Sequence, residues 1–170
     1  KITYGSSEGQ FTASLLYLNG WQRISRMDGN SKPAGGVQLT YKPTDKLTLN
    51  YSNYLGTEGL NAVRVTRFYH NVYAVVQFTD GFGVTAGFDY GTQQKVKGQD
   101  EKSEIISPLV IAQYKFNPKF AMAARAEYYQ DKDGVFIGSQ STSGFNTMGY
   151  SLNLDYAPVS HAVVRLEGKV

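Results

Sequence analysis

The stretch Gly36–Gly56, GVQLTYKPTDKLTLNYSNYLG, decides how the rest of the chain is read. Val37, Leu39 and Tyr41 alternate with Gln38, Thr40 and Lys42. After Pro43-Thr44-Asp45-Lys46, Leu47, Leu49 and Tyr51 alternate with Thr48, Asn50 and Ser52. Period two on both sides of a tight turn predicts a β-hairpin with one apolar and one polar face. Pro43 presets φ for the turn, and Asp45 is expected to bond nearby backbone. Tyr41 falls on the apolar face, immediately before the turn.

The same plan recurs outward from this hairpin. Upstream, Lys1–Gly5 reads as the tail of a strand, Ser6–Gly9 as its turn and Gln10–Gln22 as the next strand. In that strand Phe11, Ala13, Leu15 and Tyr17 form one face, while Leu16 and Leu18 blur the other. Arg23–Gly35 is a long polar loop rich in Gly, Asn and Pro. Downstream, Thr57–Arg64 is a second long connection. Val65–Thr79 then carries Val72, Ala74, Val76 and Phe78 on one face, and Asp80-Gly81 makes a tight turn. Phe82, Val84, Ala86, Phe88 and Tyr90 continue the apolar face, and Gln93–Glu104 is a charged loop.

Ile105–Phe116 presents Val110, Ala112, Tyr114 and Phe116, with Pro108 expected near the strand start, where a missing donor does least harm. Past Asn117-Pro118-Lys119 come Phe120, Met122, Ala124, Ala126 and Tyr128, and Asp131–Asn146 is the fourth long loop. Tyr150, Leu152, Leu154 and Tyr156 precede the Pro158-Val159-Ser160 turn, and Ala162, Val164 and Leu166 follow it. Tight turns near 44, 80, 118 and 159 therefore alternate with long loops near 29, 60, 98 and 138. Together these patterns predict an all-β, antiparallel, up-and-down arrangement of about ten strands, a transmembrane barrel or a segment of one, over residues 1–170 as a single domain. Short turns at one end and long loops at the other fit a membrane barrel better than a soluble meander.

Composition sets the limits of this reading. Hydrophobic residues make up 41% and aromatic residues 14% of the 170 residues, and the mean hydropathy is −0.35. No run approaches the ~18 apolar residues of a spanning helix, yet a spanning strand needs only about 9–11 residues with every second one apolar. The chain has no cysteine, so disulfide scaffolds, Cys-ligated zinc and thiol chemistry are excluded. The net charge of +3 is scattered, without the basic stripe a nucleic-acid partner needs.

Aromatics bracket the tight turns at Tyr41, Phe78, Phe82, Phe116, Phe120 and Tyr156. A second set, Tyr17, Trp21, Tyr51, Tyr90, Tyr128 and Tyr150, lies nearer the long loops. In projection they form two girdles around a band of Val, Leu and Ala, as rings do at a headgroup boundary. Aromatics that plug the ends of a soluble core would give a similar pattern. The opposite strand parity holds nearly all the strand charges: Lys42, Arg67, Asp89, Lys115, Arg125, Glu127, Asp155, Arg165, Glu167 and Lys169. A mid-membrane charge on the lipid face costs about 2–4 kcal/mol, so a spanning barrel requires this segregation. Arg125-x-Glu127 and Arg165-x-Glu167 repeat one spacing, and Asp155 is placed to bridge the two arginines. Such charges either hold the wall as a salt-bridged network or line a channel and bias permeating solutes, and both roles are compatible.

Other motifs carry less. Asp131-Lys132-Asp133-Gly134 begins like a calcium loop but lacks the later acidic ligands. Gly81-Phe82-Gly83 with Gly87 is followed by no helix, so it is no nucleotide fingerprint. His70 and His161 stand alone, without metal-ligand spacing. No nucleophile, base and acid assemble from spacing, so no catalysis, metal or cofactor is expected.

Several stretches, taken in order, resemble a known family. Asn19-Gly20-Trp21, Pro33–Gly36, Leu39–Leu47, Gly56-Thr57-Glu58, Gln113–Phe116, Arg125–Tyr129, Asp131–Gly134 and Arg165-Leu166-Glu167 are similar to the bacterial outer-membrane β-barrel porins of the OmpL-like type. The resemblance implies a barrel in the bacterial outer membrane, with the lipid bilayer and small hydrophilic solutes as its partners. Family members are larger, carry a signal peptide and finish on a strand with a terminal aromatic. This chain opens at Lys1 and stops at Val170 within alternating patterns, and is expected to be a later part of such a barrel, incomplete at both ends. The leading functional expectation is a passive porin wall. A small structural or adhesive barrel with working loops and a soluble lipocalin-like barrel are the alternatives, and an assembly of like chains is compatible with the first. In the soluble alternative Leu49, Val84, Leu152 and Val164 would face inward.

Overall fold

The computed structural model describes residues 1–137 and 144–170. The alternating segments become ten strands: β1 (Ile2–Gly5), β2 (Phe11–Leu18), β3 (Ala34–Thr44), β4 (Leu47–Glu58), β5 (Val65–Gln77), β6 (Phe82–Gln94), β7 (Lys102–Asn117), β8 (Phe120–Asp131), β9 (Phe145–Val159) and β10 (Ala162–Lys169). They form one antiparallel sheet in sequence order, as the up-and-down reading expects. Within the described residues β1 pairs only with β2 and β10 only with β9, so the sheet is open.

Opposed residues in an antiparallel pair project to the same face, so the register transmits the alternation from strand to strand. One row runs Leu39, Tyr51, Val72, Phe88; the next runs Tyr41, Leu49, Ala74, Ala86, Val110, Ala126, Tyr150. Every member is apolar or aromatic. The other parity gives rows such as Thr85, Ile111, Arg125, Ser151 and Lys169. The apolar side chains are not buried: Leu49 is 40%, Leu152 48% and Val164 64% exposed. Among the described residues the buried hydrophobics are Ala34, Tyr54 and Ile105. Exposed apolar patches beyond a few hundred Å² mark a surface meant to be covered.

The tight turns follow local chemistry. Thr44 Oγ1, rather than Asp45, accepts the Lys46 N–H at 3.3 Å. Asn117 Oδ1 accepts from Lys119 and Phe120 N–H at 2.9 and 3.0 Å. Near these turns Phe78 stacks on Phe82 with centroids 5.5 Å apart, and Phe120 on Tyr156 at 4.8 Å. Both pairs belong to the expected turn-side row.

Several boundaries differ from expectation: β2 ends at Leu18 rather than Gln22, and β4 runs on through Thr57 and Glu58. Lys102–Glu104 and Gln93-Gln94 extend the β6–β7 ladder into the expected loop, so Pro108 sits well inside β7 rather than near its start. It is tolerated because the β7–β8 ladder skips Ser107 and Pro108, where the missing donor would have fallen. Asp131 closes β8 and Phe145 opens β9, which shortens the fourth loop from both sides. Positions 138–143 of that loop lie outside the described residues.

Candidate functional site

The polar face is the inner one, and two loop aromatics show it. Trp21 lies between β2 and β3, Phe136 between β8 and β9. Along a flat sheet β3 and β8 are five strand spacings, about 24 Å, apart. Yet the two rings approach to 6.1 Å, edge to face. The sheet therefore curls toward this face, and the loops reach across it. Beneath them Arg67, on β5, places its guanidinium carbon 5.3 Å from the Trp21 centroid and 4.6 Å from that of Phe136. Cations over aromatic faces at this distance are attracted by the ring quadrupole. Arg67 Nε donates to Gln93 Oε1 at 2.8 Å and Nη2 to the Val135 carbonyl at 3.5 Å.

Neighbouring residues hold the two rings in place. Trp21 packs against Tyr54 at 5.1 Å and Tyr69 at 4.7 Å. Glu58 accepts from the Trp21 N–H at 3.4 Å and the Tyr54 hydroxyl at 2.9 Å. On the other side Asp131 is fully buried, and its carboxylate accepts the N–H groups of Val135, Phe136 and Ile137 at 3.0, 2.7 and 3.1 Å. Asp131 is thus an organiser of the loop that carries Phe136, and its carboxylate is occupied by backbone. Asp133 pairs with Lys95 instead, and no metal-holding cluster exists among the described residues. Gly91 lies under the cluster; a Cβ there would stand 2.6 Å from Ile105 and 2.9 Å from Phe136.

The long loops are also tied to one another. Asn61 N–H donates to the Gly29 carbonyl at 2.8 Å, and Asn30 Nδ2 to the Thr57 carbonyl at 3.0 Å. Lys97 Nζ donates to the Asn61 and Ala62 carbonyls at 3.0 and 3.1 Å. Lys95 Nζ meets Glu101 at 3.0 Å and Asp133 at 3.6 Å. The hydrogen bond to Glu101, then the charge of Asp133, hold the Lys95 ammonium above the usual lysine range.

The charges expected on the polar parity take that parity in the register, but their pairing differs from expectation. Arg125 hydrogen-bonds Glu127 on its own strand. Lys169 reaches the same Glu127 at 3.6 Å across Gly149, whose missing side chain leaves room for the carboxylate. Arg165 binds Asp155 bidentately, at 2.7 and 2.8 Å. Asp155 therefore does not bridge the two arginines: it stands opposite Ala121, whereas Arg125 stands opposite Ser151, four residues away. Glu167 lies opposite Asn153. Asp89 accepts from Asn71 Nδ2 at 2.6 Å. Lys115 shares a small recess with Asp155, and Lys42 lies at the turn beside Gln10 and Thr44. Arg67, only 6% exposed, is enclosed by the loop cluster and is not an open lining charge.

Among the girdle residues, Trp21 is a correction. It leaves the second row and folds inward over Arg67, because its loop is long enough to turn back onto the concave face. At that end of the apolar face the row continues through His70, whose Nδ1 lies 2.8 Å from the Tyr51 hydroxyl and whose ring stacks on Tyr90 at 6.5 Å. Phe136 does not stand out in the sequence, and Asp131 does so only as the start of a calcium-like stretch, since both sit in what reads as a polar loop.

With this geometry in place, comparison with known proteins is informative at one level. The family described as "Putative beta-barrel porin-2, OmpL-like" matches residues 1–170, the whole chain. No curated protein and no solved structure matches it.

Proposed function

The chain belongs to the putative beta-barrel porin-2, OmpL-like family, and from that premise we propose that it builds the wall of a passive channel in the bacterial outer membrane. Small hydrophilic solutes would diffuse along its polar face, while its apolar face meets lipid. Residues 1–170 act as one barrel domain. The family points to a channel rather than to an enzyme.

One observation carries this reading: the segregation of the two faces. Between the aromatic rows the apolar face holds only residues such as Leu15, Leu39, Ala74, Ala86, Val110, Ala124 and Leu152, without a charge. The concave face carries Arg125, Glu127, Asp155, Arg165 and Lys169. A soluble ligand-binding barrel needs the opposite facing. The two open edges support the rest of the proposal. In lipid each unpaired backbone group costs several kcal/mol, so β1 and β10 would be paired there, with one another or with further strands. Ten strands alone leave an interior filled by side chains, whereas about 16–18 leave a water channel.

The test is conductance of the full-length protein in a planar bilayer. Discrete, voltage-independent steps are expected. A well-folded protein that gives none would contradict the channel and leave a structural or adhesive barrel.

A further inference from the structure

A second feature lies outside the lumen, on the apolar face at the loop end. There β2 to β5 enclose a groove of about 900 Å³. Its apolar wall includes Leu15, Leu55 and Phe68, its upper rim Thr66 and Lys32, and its middle is open because Gly35 has no side chain. Leu15 and Leu55 are 60% and 53% exposed, so the wall is uncovered. Tyr17 stands directly opposite Gly35 on β2, and Arg26 donates to the Tyr17 hydroxyl at 2.7 Å. Lys32 thus lines the polar end of an apolar recess that no acidic residue lines, and Arg26 stands beside it, on the Tyr17 hydroxyl and the Ser31 carbonyl. Glu104, on the row of Leu55 and Phe68, is two strands beyond Phe68 and accepts from Tyr90 at 2.8 Å.

We propose that this groove binds a membrane lipid with an anionic phosphate headgroup, its acyl chain on Leu15, Leu55 and Phe68 and its phosphate at Lys32 and Arg26. The inference rests on the apolar face being the lipid-facing one. The occupant follows from the chemistry of the two ends. An apolar wall without charge takes hydrocarbon, and a basic rim at the aromatic level takes an anion held at the headgroup boundary. Lysine extends its ammonium toward that boundary along an apolar stem. Arg26, whose two Nη atoms donate to Ser31 and Tyr17, adds its charge beside that boundary. A neutral lipid would satisfy only the apolar half.

Gly35 offers a way to fill the groove without touching the wall. A Cβ added there meets only the Leu16 carbonyl oxygen at 3.6 Å, an ordinary contact. The experiment is native mass spectrometry of the full-length protein in detergent, titrated with dioleoyl phosphatidic acid or with dioleoyl glycerol, which has the same chains and no phosphate. Wild type is expected to retain phosphatidic acid at one saturable site and dioleoyl glycerol much less. Lys32→Ala and Arg26→Gln should each weaken phosphatidic acid about fivefold, the effect of one cation on an anionic lipid surface. Gly35→Phe should weaken both lipids. Equal retention of the two lipids by wild type, or unchanged retention by Lys32→Ala and Arg26→Gln, would overturn the proposal. Should Gly35→Phe fail to fold, the two cation variants decide the outcome. Conductance recorded on the same preparations separates this result from the channel reading: lipid selectivity without conductance would contradict the pore and leave the groove standing.

Discussion

Arg67 and Phe136 are 69 residues apart in the chain, and the Arg67 guanidinium carbon lies 4.6 Å from the Phe136 ring centroid. The contact joins the middle of the sheet to the loop between β8 and β9, and Trp21, edge to face with Phe136, meets the same cation beside it. A barrel wall does not need such a contact to stand. Its consequence is that loop residues occupy the concave face near one end.

Trp21→Ala removes the larger ring and its contacts with Tyr54 and Tyr69. Single-channel conductance of the full-length protein should rise, while the strand ladders and membrane assembly remain. Equal conductance in wild type and variant would place the narrowest point of the path elsewhere.

Asp131→Ala leaves three loop N–H groups without their acceptor. The destabilisation should be about 1–3 kcal/mol, the cost of buried donors left unmade. Trypsin should also cut the folded variant faster after Lys132. Wild-type cleavage rates and unfolding midpoint in the variant would show that other contacts hold the loop.

Two adjacent glycines should respond in opposite ways. A Cβ on Gly36 would run into the Asn53 carbonyl oxygen, which belongs to the backbone of β4 and cannot move aside cheaply. Gly36→Ala should cost about 1–3 kcal/mol, as overpacking does, and Gly35→Ala should be tolerated. Thermal unfolding of the two variants side by side checks this; equal midpoints would contradict it.

These contacts mark where the sequence is legible and where it is not. Strand alternation places Leu49, Val84, Leu152 and Val164 on one face, because period two and strand register carry the pattern from strand to strand. The strand ends are less legible: Lys102-Ser103-Glu104 looks like a charged loop, yet it pairs with Thr92, Gln93 and Gln94 and lengthens the β6–β7 ladder. Trp21 misleads for a related reason. A ring beside a strand end suits a girdle equally well, and only the reach of its loop decides that it turns inward. The Asp155–Arg165 pair is adjacent across one ladder and so follows from strand register, whereas the Lys169–Glu127 contact spans two ladders and depends on Gly149 being bare.

The inner charges allow a direct electrical test. Arg125→Glu reverses one charge beside Glu127 and Lys169. Cross-strand charge pairs contribute about 0.2–1 kcal/mol each, so assembly should survive. The reversal potential under a salt gradient should move toward cation selectivity. An unmoved reversal potential in a well-assembled variant would leave Arg125 a structural role only.

The central claim, that the polar face is solvated and the apolar face meets lipid, is tested most directly by cysteine labelling. The 170 residues contain no cysteine, so with any cysteine elsewhere in the full-length protein replaced by serine, a single introduced thiol reports on its own position. Ser151 and Leu152 are neighbours on β9 with opposite facing. In the full-length protein reconstituted in liposomes, Ser151→Cys should react with a charged, membrane-impermeant maleimide, and Leu152→Cys should react only after the membrane is dissolved and the protein unfolded. The reverse order of reactivity would contradict the account.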